Sequence, residues 1–423
     1  MDNLTFEKFI NAAKKNKKIL YNPKFFGEYE DIITAIYNGV EKFDIYSFDG
    51  QLQDILIKVT KRFVPESGTN MYDQFLMEIY NELKQLVLPV VIIIPLNNFK
   101  INLTTQQCYK LTENIRIFQP EDSEADDAFS RYYKKVTHSD VNKHHILAAK
   151  DKNFFHYPIM TVCVNNIPFK VNEQSARITE AVYSFMRMMD FSFDVENDLF
   201  ATHKPYFEYL PANTYCVYYT ITKPYLYECG YSFRFKFDYF LDINSKQIKT
   251  HSKSFKSLLN RYINYCFMDR RHKTDAELQR IDTWLNAVLL YNSAYELASV
   301  ERYDLANITL LTILESLFLK KSDKEKRVTL VNFVTDFIIS KNNSFKACDI
   351  ESLITDTYKH RNHFVHEGKN YYNARSYKAL SERQGVMLGM KPFSHGTSCS
   401  FETYKNLQSL IKMVGYIIMT FWD

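Results

Sequence analysis

The sequence predicts an α+β fold: a mixed N-terminal part containing an antiparallel-rich sheet, followed by an all-helical C-terminal bundle. Three observations predict it. The run Val90 to Ile94 is wholly apolar and flanked by Pro89 and Pro95, as in a buried strand. In Ser232 to Asp238, Phe233, Phe235 and Phe237 alternate with Ser232, Arg234, Lys236 and Asp238, so one face is apolar and the other solvated. From about residue 255 to the end, apolar residues recur at helical rather than strand spacing.

The elements follow in order. Residues 1–85 read as mostly helical segments, with an apolar helix stripe over Met71 to Leu88. After the Val90 strand, Glu121 to Asp127 reads as a solvated acidic loop, with a bound cation as the lesser alternative. His138, His144 and His145 have no Cys or carboxylate at ligand spacing and read as surface histidines. Ile159 to Val164 and Phe169 to Val171 read as strands around a turn at Asn165-Asn166, and Val217, Tyr219 and Ile221 as a further strand. A helix through Phe255, Leu258, Leu259, Tyr262, Ile263 and Cys266 precedes the charged break Asp269 to Lys273. Five helical stripes then follow, beginning at Ile281, Leu310, Leu330, Ile350 and Leu407. The chain therefore divides on this reading into residues 1–268 and 269–423.

Composition narrows the class. A chain of 423 residues with 46% hydrophobic and 16% aromatic content has room for two or three cores and no long disordered tract. The longest apolar run, Leu86 to Leu96, is too short to cross a bilayer, and the start of the chain carries Asp2 and Glu7 instead of a secretory signal. Seven cysteines, odd in number and never in a Cys-x-x-Cys pair, point to a reducing compartment without a zinc knuckle, hence to a cytoplasmic protein without membrane contact. There is no phosphate loop, dinucleotide fingerprint, His-Glu-x-x-His or nucleophile elbow, so neither a cofactor nor a metal is expected. Net charge is +4, but residues 251–423 hold 24 Lys+Arg against 18 Asp+Glu, leaving 29 against 31 before them. The positive excess accompanies the helical part and suits a polyanionic partner.

The richest chemistry lies in Tyr358-Lys359-His360-Arg361-Asn362-His363-Phe364-Val365-His366-Glu367-Gly368. An obligate cation, an amide and imidazoles fall within two helical turns before a glycine, a set able to handle a phosphate without a metal. Upstream, Glu315 is the only charge between Asn307 and Lys320 on an apolar helix, so burial is expected and with it a partner: Arg361, or else Arg327 or Lys359. A structural pair locking the bundle is the plain alternative. Arg361 and His366 lie about 140° apart on a regular helix, so they converge only if the last turn deforms or a second subunit contributes, whereas Asn362 and His366 share a face. His360 reads as a surface residue, and His363 does so unless it supports the site. The stretch Glu367 to Ser400, with four of the chain's ten glycines, reads as a lid, a dimer contact or a surface excursion.

Arg361 and His366 with four residues between them, together with Leu314-Glu315-Ser316-Leu317-Phe318 some forty residues earlier, resemble the Apea-like branch of the HEPN superfamily over roughly the last 150 residues. The resemblance implies a helical bundle that dimerises through its active cleft and cleaves RNA by 2′-hydroxyl attack, leaving a 2′,3′-cyclic phosphate. It implies that Arg361 holds the phosphate, His366 handles the proton and Asn362 orients one of them. Glu315 would position Arg361, with His363 and Lys359 in support. Defence proteins that append this bundle suggest an antiphage role, with a phage-derived trigger met by the N-terminal part. The alternative is a non-catalytic RNA-binding or dimerisation module; its tyrosine-modified version is disfavoured because Gly368 stands two residues after His366.

Overall fold

The structure, a computed structural model, describes residues 2–21, 27–45, 50–66, 68–96, 99–102, 108–119, 123–138, 158–195, 215–218, 227–229, 241–299, 302–367 and 401–423. The expected strand at 232–238, His144 and His145, and the stretch after Glu367 up to residue 400 lie outside these. No helix among the described residues is long and apolar enough to cross a membrane.

The fold is α+β and mostly helical. Helices α1 (Asn3–Lys15), α2 (Lys18–Tyr21), α3 (Glu30–Glu41), α4 (Gly50–Arg62) and α5 (Met71–Lys84) open the chain. Asp2 caps α1 by accepting from the Thr5 N–H at 2.9 Å, and Asn70 caps α5 through the Tyr72 N–H at 3.0 Å. These helices enclose a core of their own around Phe6, Phe63 and Phe75, whose rings meet edge to face.

The sheet comprises β1 (Leu88–Pro95), β3 (Cys108–Lys110), β4 (Ile115–Phe118), β5 (Ile159–Asn166), β6 (Tyr215–Tyr218) and β7 (Tyr227–Cys229) in the order β3-β4-β5-β1-β6-β7, every pairing antiparallel. Short β2 (Phe99–Asn102) and β8 (Leu241–Asn244) pair separately in parallel. Central β1 is apolar throughout because both its faces are covered. Val90, Ile92 and Ile94 join the large core, while Val91 and Ile93 pack with Phe129, Tyr132 and Tyr133 of α6 (Ser123–Thr137).

Two local expectations are corrected. Ser123 to Asp127 form the first turns of α6 instead of continuing an acidic loop, consistent with acidic residues favouring a helix N-terminus. Phe169 to Val171 are not a strand but the start of α7 (Pro168–Val195). Pro168 suits a first helical turn, and Val171, Ile178, Val182 and Phe185 then fall at helical spacing on one buried side.

Helices α8 (Ser245–Cys266), α9 (Asp275–Ser299), α10 (Tyr303–Phe318), α11 (Lys326–Lys341), α12 (Ala347–Glu367) and α13 (Phe401–Thr420) complete the chain. One apolar core runs from the sheet through α7 and α8 into α9 to α13, so it crosses residue 270 without interruption. Trp284 of α9 is its pivot. Its ring lies 6.2 Å from Phe185 and 6.0 Å from Tyr262, and its Nε1–H donates to the Ile418 carbonyl at 3.0 Å. The charged loop before α9 is docked too. The Arg270 N–H donates to the Lys42 carbonyl at 2.9 Å, and the Arg271 guanidinium lies 4.7 Å from the Phe43 ring and 4.8 Å from Tyr80.

Candidate functional site

Helix α12 carries the candidate residues because its sequence serves two surroundings at once. Ile350, Leu353, Ile354, Thr357, Tyr358 and His360 are buried against the bundle, while Arg361 and Phe364 are half-buried and Lys359, Asn362, Val365 and His366 are exposed. His360 is 4% exposed, contrary to the surface reading, since it continues the stripe of Leu353 and Thr357 at i+7 and i+3. Asn307 of α10 fixes this stretch by donating from Nδ2 to the Thr357 carbonyl at 3.2 Å, one turn before Arg361.

Glu315 is half-buried and does not pair with Arg361. Its Oε1 accepts from the Tyr358 hydroxyl at 2.7 Å. Burial first, and then the hydrogen bond and charge of Glu315, hold the Tyr358 phenol well above its ordinary range, with Arg361 partly opposing the rise. The two other candidate partners do not replace Arg361: Lys359 pairs with Asp356 at 2.9 Å, and Arg327 is exposed. Arg361, half-buried near the phenol, makes no ion pair with any described residue.

Lys359, Asn362, His363 and His366 stand at i, i+3, i+4 and i+7 and form one stripe on the outward side of α12. Asn362 and His366 are exposed, and His363 Nδ1 approaches Glu367 Oε1 at 3.0 Å. The helix remains α-helical through Glu367, so the last turn does not swing His366 toward Arg361. The motif is thus split: amide and imidazoles face outward, while the guanidinium sits on the flank beside Tyr358. Leu314 is buried, and Phe318 of the same stretch packs on Phe337 of α11 at 5.4 Å.

Tyr358, Asn307 and the buried His360 escaped the sequence reading. The signal for Tyr358 was its i−3 relation to Arg361 on a helix facing Glu315, which makes it as able to reach that carboxylate as the arginine is. Among the described residues, no three His, Cys, Asp or Glu side chains gather in a way that would hold a metal ion. Comparison with family models, with curated proteins and with solved structures gives no match.

Proposed function

We propose that this protein is a metal-independent endoribonuclease of HEPN type, acting on RNA through α12. The observation that carries the reading is the outward stripe of Lys359, Asn362, His363 and His366 with Arg361, without an ion pair among the described residues, on its flank. Together these residues offer donors for phosphate oxygens and an imidazole as a proton carrier.

In the proposed reaction His366 takes the proton of a ribose 2′-hydroxyl, or returns one to the leaving 5′-oxygen. The 2′-oxygen bonds to phosphorus, the bond from phosphorus to the 5′-oxygen breaks, and the products are a 2′,3′-cyclic phosphate and a 5′-hydroxyl. Arg361 stabilises the charge that develops on the phosphoryl oxygens, and Asn362 orients His366 or the phosphate. Because Arg361 and His366 diverge on one helix, the complete site takes Arg361 from one copy and His366 from a second, in a homodimer formed through the bundle. On this reading residues 269–423 are the nuclease part, and residues 1–268 sense a phage-derived trigger in antiphage defence or restrain the nuclease.

The same divergence favours a second reading, a non-catalytic RNA-binding or dimerisation module. Incubating wild-type and His366→Ala protein with total RNA in EDTA, and reading fragment ends for cyclic phosphate, separates the two. Cleavage by the wild type alone supports the nuclease; binding without cleavage by either supports the module.

A further inference from the structure

A cleft of about 250 Å³ lies where β4, β5 and α8 meet. The β4–β5 ladder stops at the pair Ile115–Val162, but β5 continues to Asn166 against β1. The Cys163 N–H donates to the Asn114 carbonyl at 2.8 Å, and beyond that bond one edge of β5 has no described strand beside it. The end of α8 covers this gap. Asn260 and Asn264 line the cleft from the helix at i and i+4, with Phe267 just past its end, facing Asn114 and Asn165 on the sheet side.

Among the described residues the lining holds four side-chain amides and no charged group; Asn114, Asn165 and Asn264 are exposed and Asn260 is half-buried. None of these amides is hydrogen-bonded to another described residue. A carboxamide presents a donor and an acceptor in one plane, the arrangement that matches the N6 and N7 edge of adenine. Phe267 supplies an aromatic face of the kind on which unpaired bases stack. The volume falls below the roughly 300–1,000 Å³ of pockets for larger ligands, which suits a single base. Charge enters only outside the cleft. Lys256 is exposed one helical turn before Asn260, a position suited to a sugar phosphate.

We infer that this cleft binds an unpaired adenine base, of a free nucleotide or of single-stranded nucleic acid, through Asn260 and Asn264 with Lys256 at the phosphate. The inference does not rest on the proposed cleavage reaction.

The test titrates the full chain with adenosine monophosphate, followed by ligand-observed NMR, with uridine monophosphate as the comparison. Saturable binding that prefers the adenine nucleotide is expected. Asn260→Ala and Asn264→Ala should each weaken it at least about fivefold, and Asn264→Asp should act likewise by removing donors while keeping shape. Lys256→Ala should weaken it less and reduce its salt dependence. A 2′-deoxy oligoadenylate binding more than tenfold tighter than the monophosphate identifies a strand as ligand, and equal affinity identifies the free nucleotide. Absence of saturable binding, affinity unchanged in the Asn260/Asn264 double variant, or loss of binding on His366→Ala would each overturn the inference. Persistence of binding in His366→Ala separates this site from the chemistry on α12.

Discussion

Tyr358 donates its hydroxyl to Glu315 across the α10–α12 contact at 2.7 Å, so the carboxylate expected to hold Arg361 is held by a phenol. Among the described residues Arg361 is left without an ion-pair partner. Hydrogen bonds to charged groups contribute about 1.5–3 kcal/mol, so Tyr358→Phe should lower stability by about that amount in urea denaturation. An unchanged midpoint would mean that water satisfies Glu315 equally well.

Arg361→Ala should leave the melting temperature within a few degrees of wild type while reducing RNA cleavage by about 100-fold or more. The half-buried guanidinium has no ion pair among the described residues to lose. A large fall in melting temperature would instead assign Arg361 to the framework, as the non-catalytic reading requires.

Among the N-terminal helices, Glu82 of α5 is 5% exposed and meets Lys58 and Arg62 of α4, each at 2.5 Å. The hydrogen bond from Lys58, then that from Arg62, hold its carboxyl below the ordinary value of 4.5 against the opposing cost of burial. A carboxyl depressed in the folded state stabilises above its unfolded pKa and loses that contribution as pH falls through the folded value. Urea midpoints should therefore fall as pH drops below 4.5, and Glu82→Gln should flatten this acid dependence while lowering stability at neutral pH. Equal acid slopes in the two proteins would show that other carboxylates set the dependence.

Arg187 of α7 is fully buried. Its Nη1 donates to Asn292 Oδ1, its guanidinium lies 4.6 Å from the Tyr295 ring, and Nε and Nη2 find no hydrogen-bond partner among the described residues. Burying a guanidinium with two unsatisfied N–H groups costs free energy that an apolar side chain of similar volume does not incur, whereas truncation leaves a cavity. Thermal melting should show Arg187→Met close to or above wild type and Arg187→Ala lower by several degrees. A strong loss in Arg187→Met would reveal an unrecognised demand for the charge.

Residues 269–423 produced alone should not give a cooperatively melting monomer, because Trp284, Val288 and Ile281 would lose Phe185, Tyr262 and the rest of α7 and α8. Circular dichroism melts and size-exclusion chromatography check this. A sharp transition from a soluble fragment would show that the bundle tolerates exposure of that face.

Periodicity revealed the helices around Ile281, Leu310, Leu330, Ile350 and Leu407, and the apolar run revealed β1, because covering by neighbours leaves a continuous signature. Phe169 to Val171 did not declare themselves, since three apolar residues suit either period and only the long helix after Pro168 decides. The identity of the α12 residues was legible, but their division between two faces turned on one competitor. Tyr358 and Arg361 are both able to reach Glu315, and sequence spacing does not rank a phenol against a guanidinium. The amide cleft was invisible because Asn114, Asn165, Asn260 and Asn264 come from three separate elements.

Trp284 touches Phe185 and Tyr262 on one side and holds the Ile418 carbonyl on the other. A load applied to α7 or α8 thus reaches the backbone of α13 through this indole as well as through direct packing such as Tyr265 on Trp422 at 5.6 Å, much as a frame spreads force through several joints. Any signal received by the first half of the chain would arrive in the helical half as strain within a common interior, and its speed would be that of side-chain repacking rather than of domains parting.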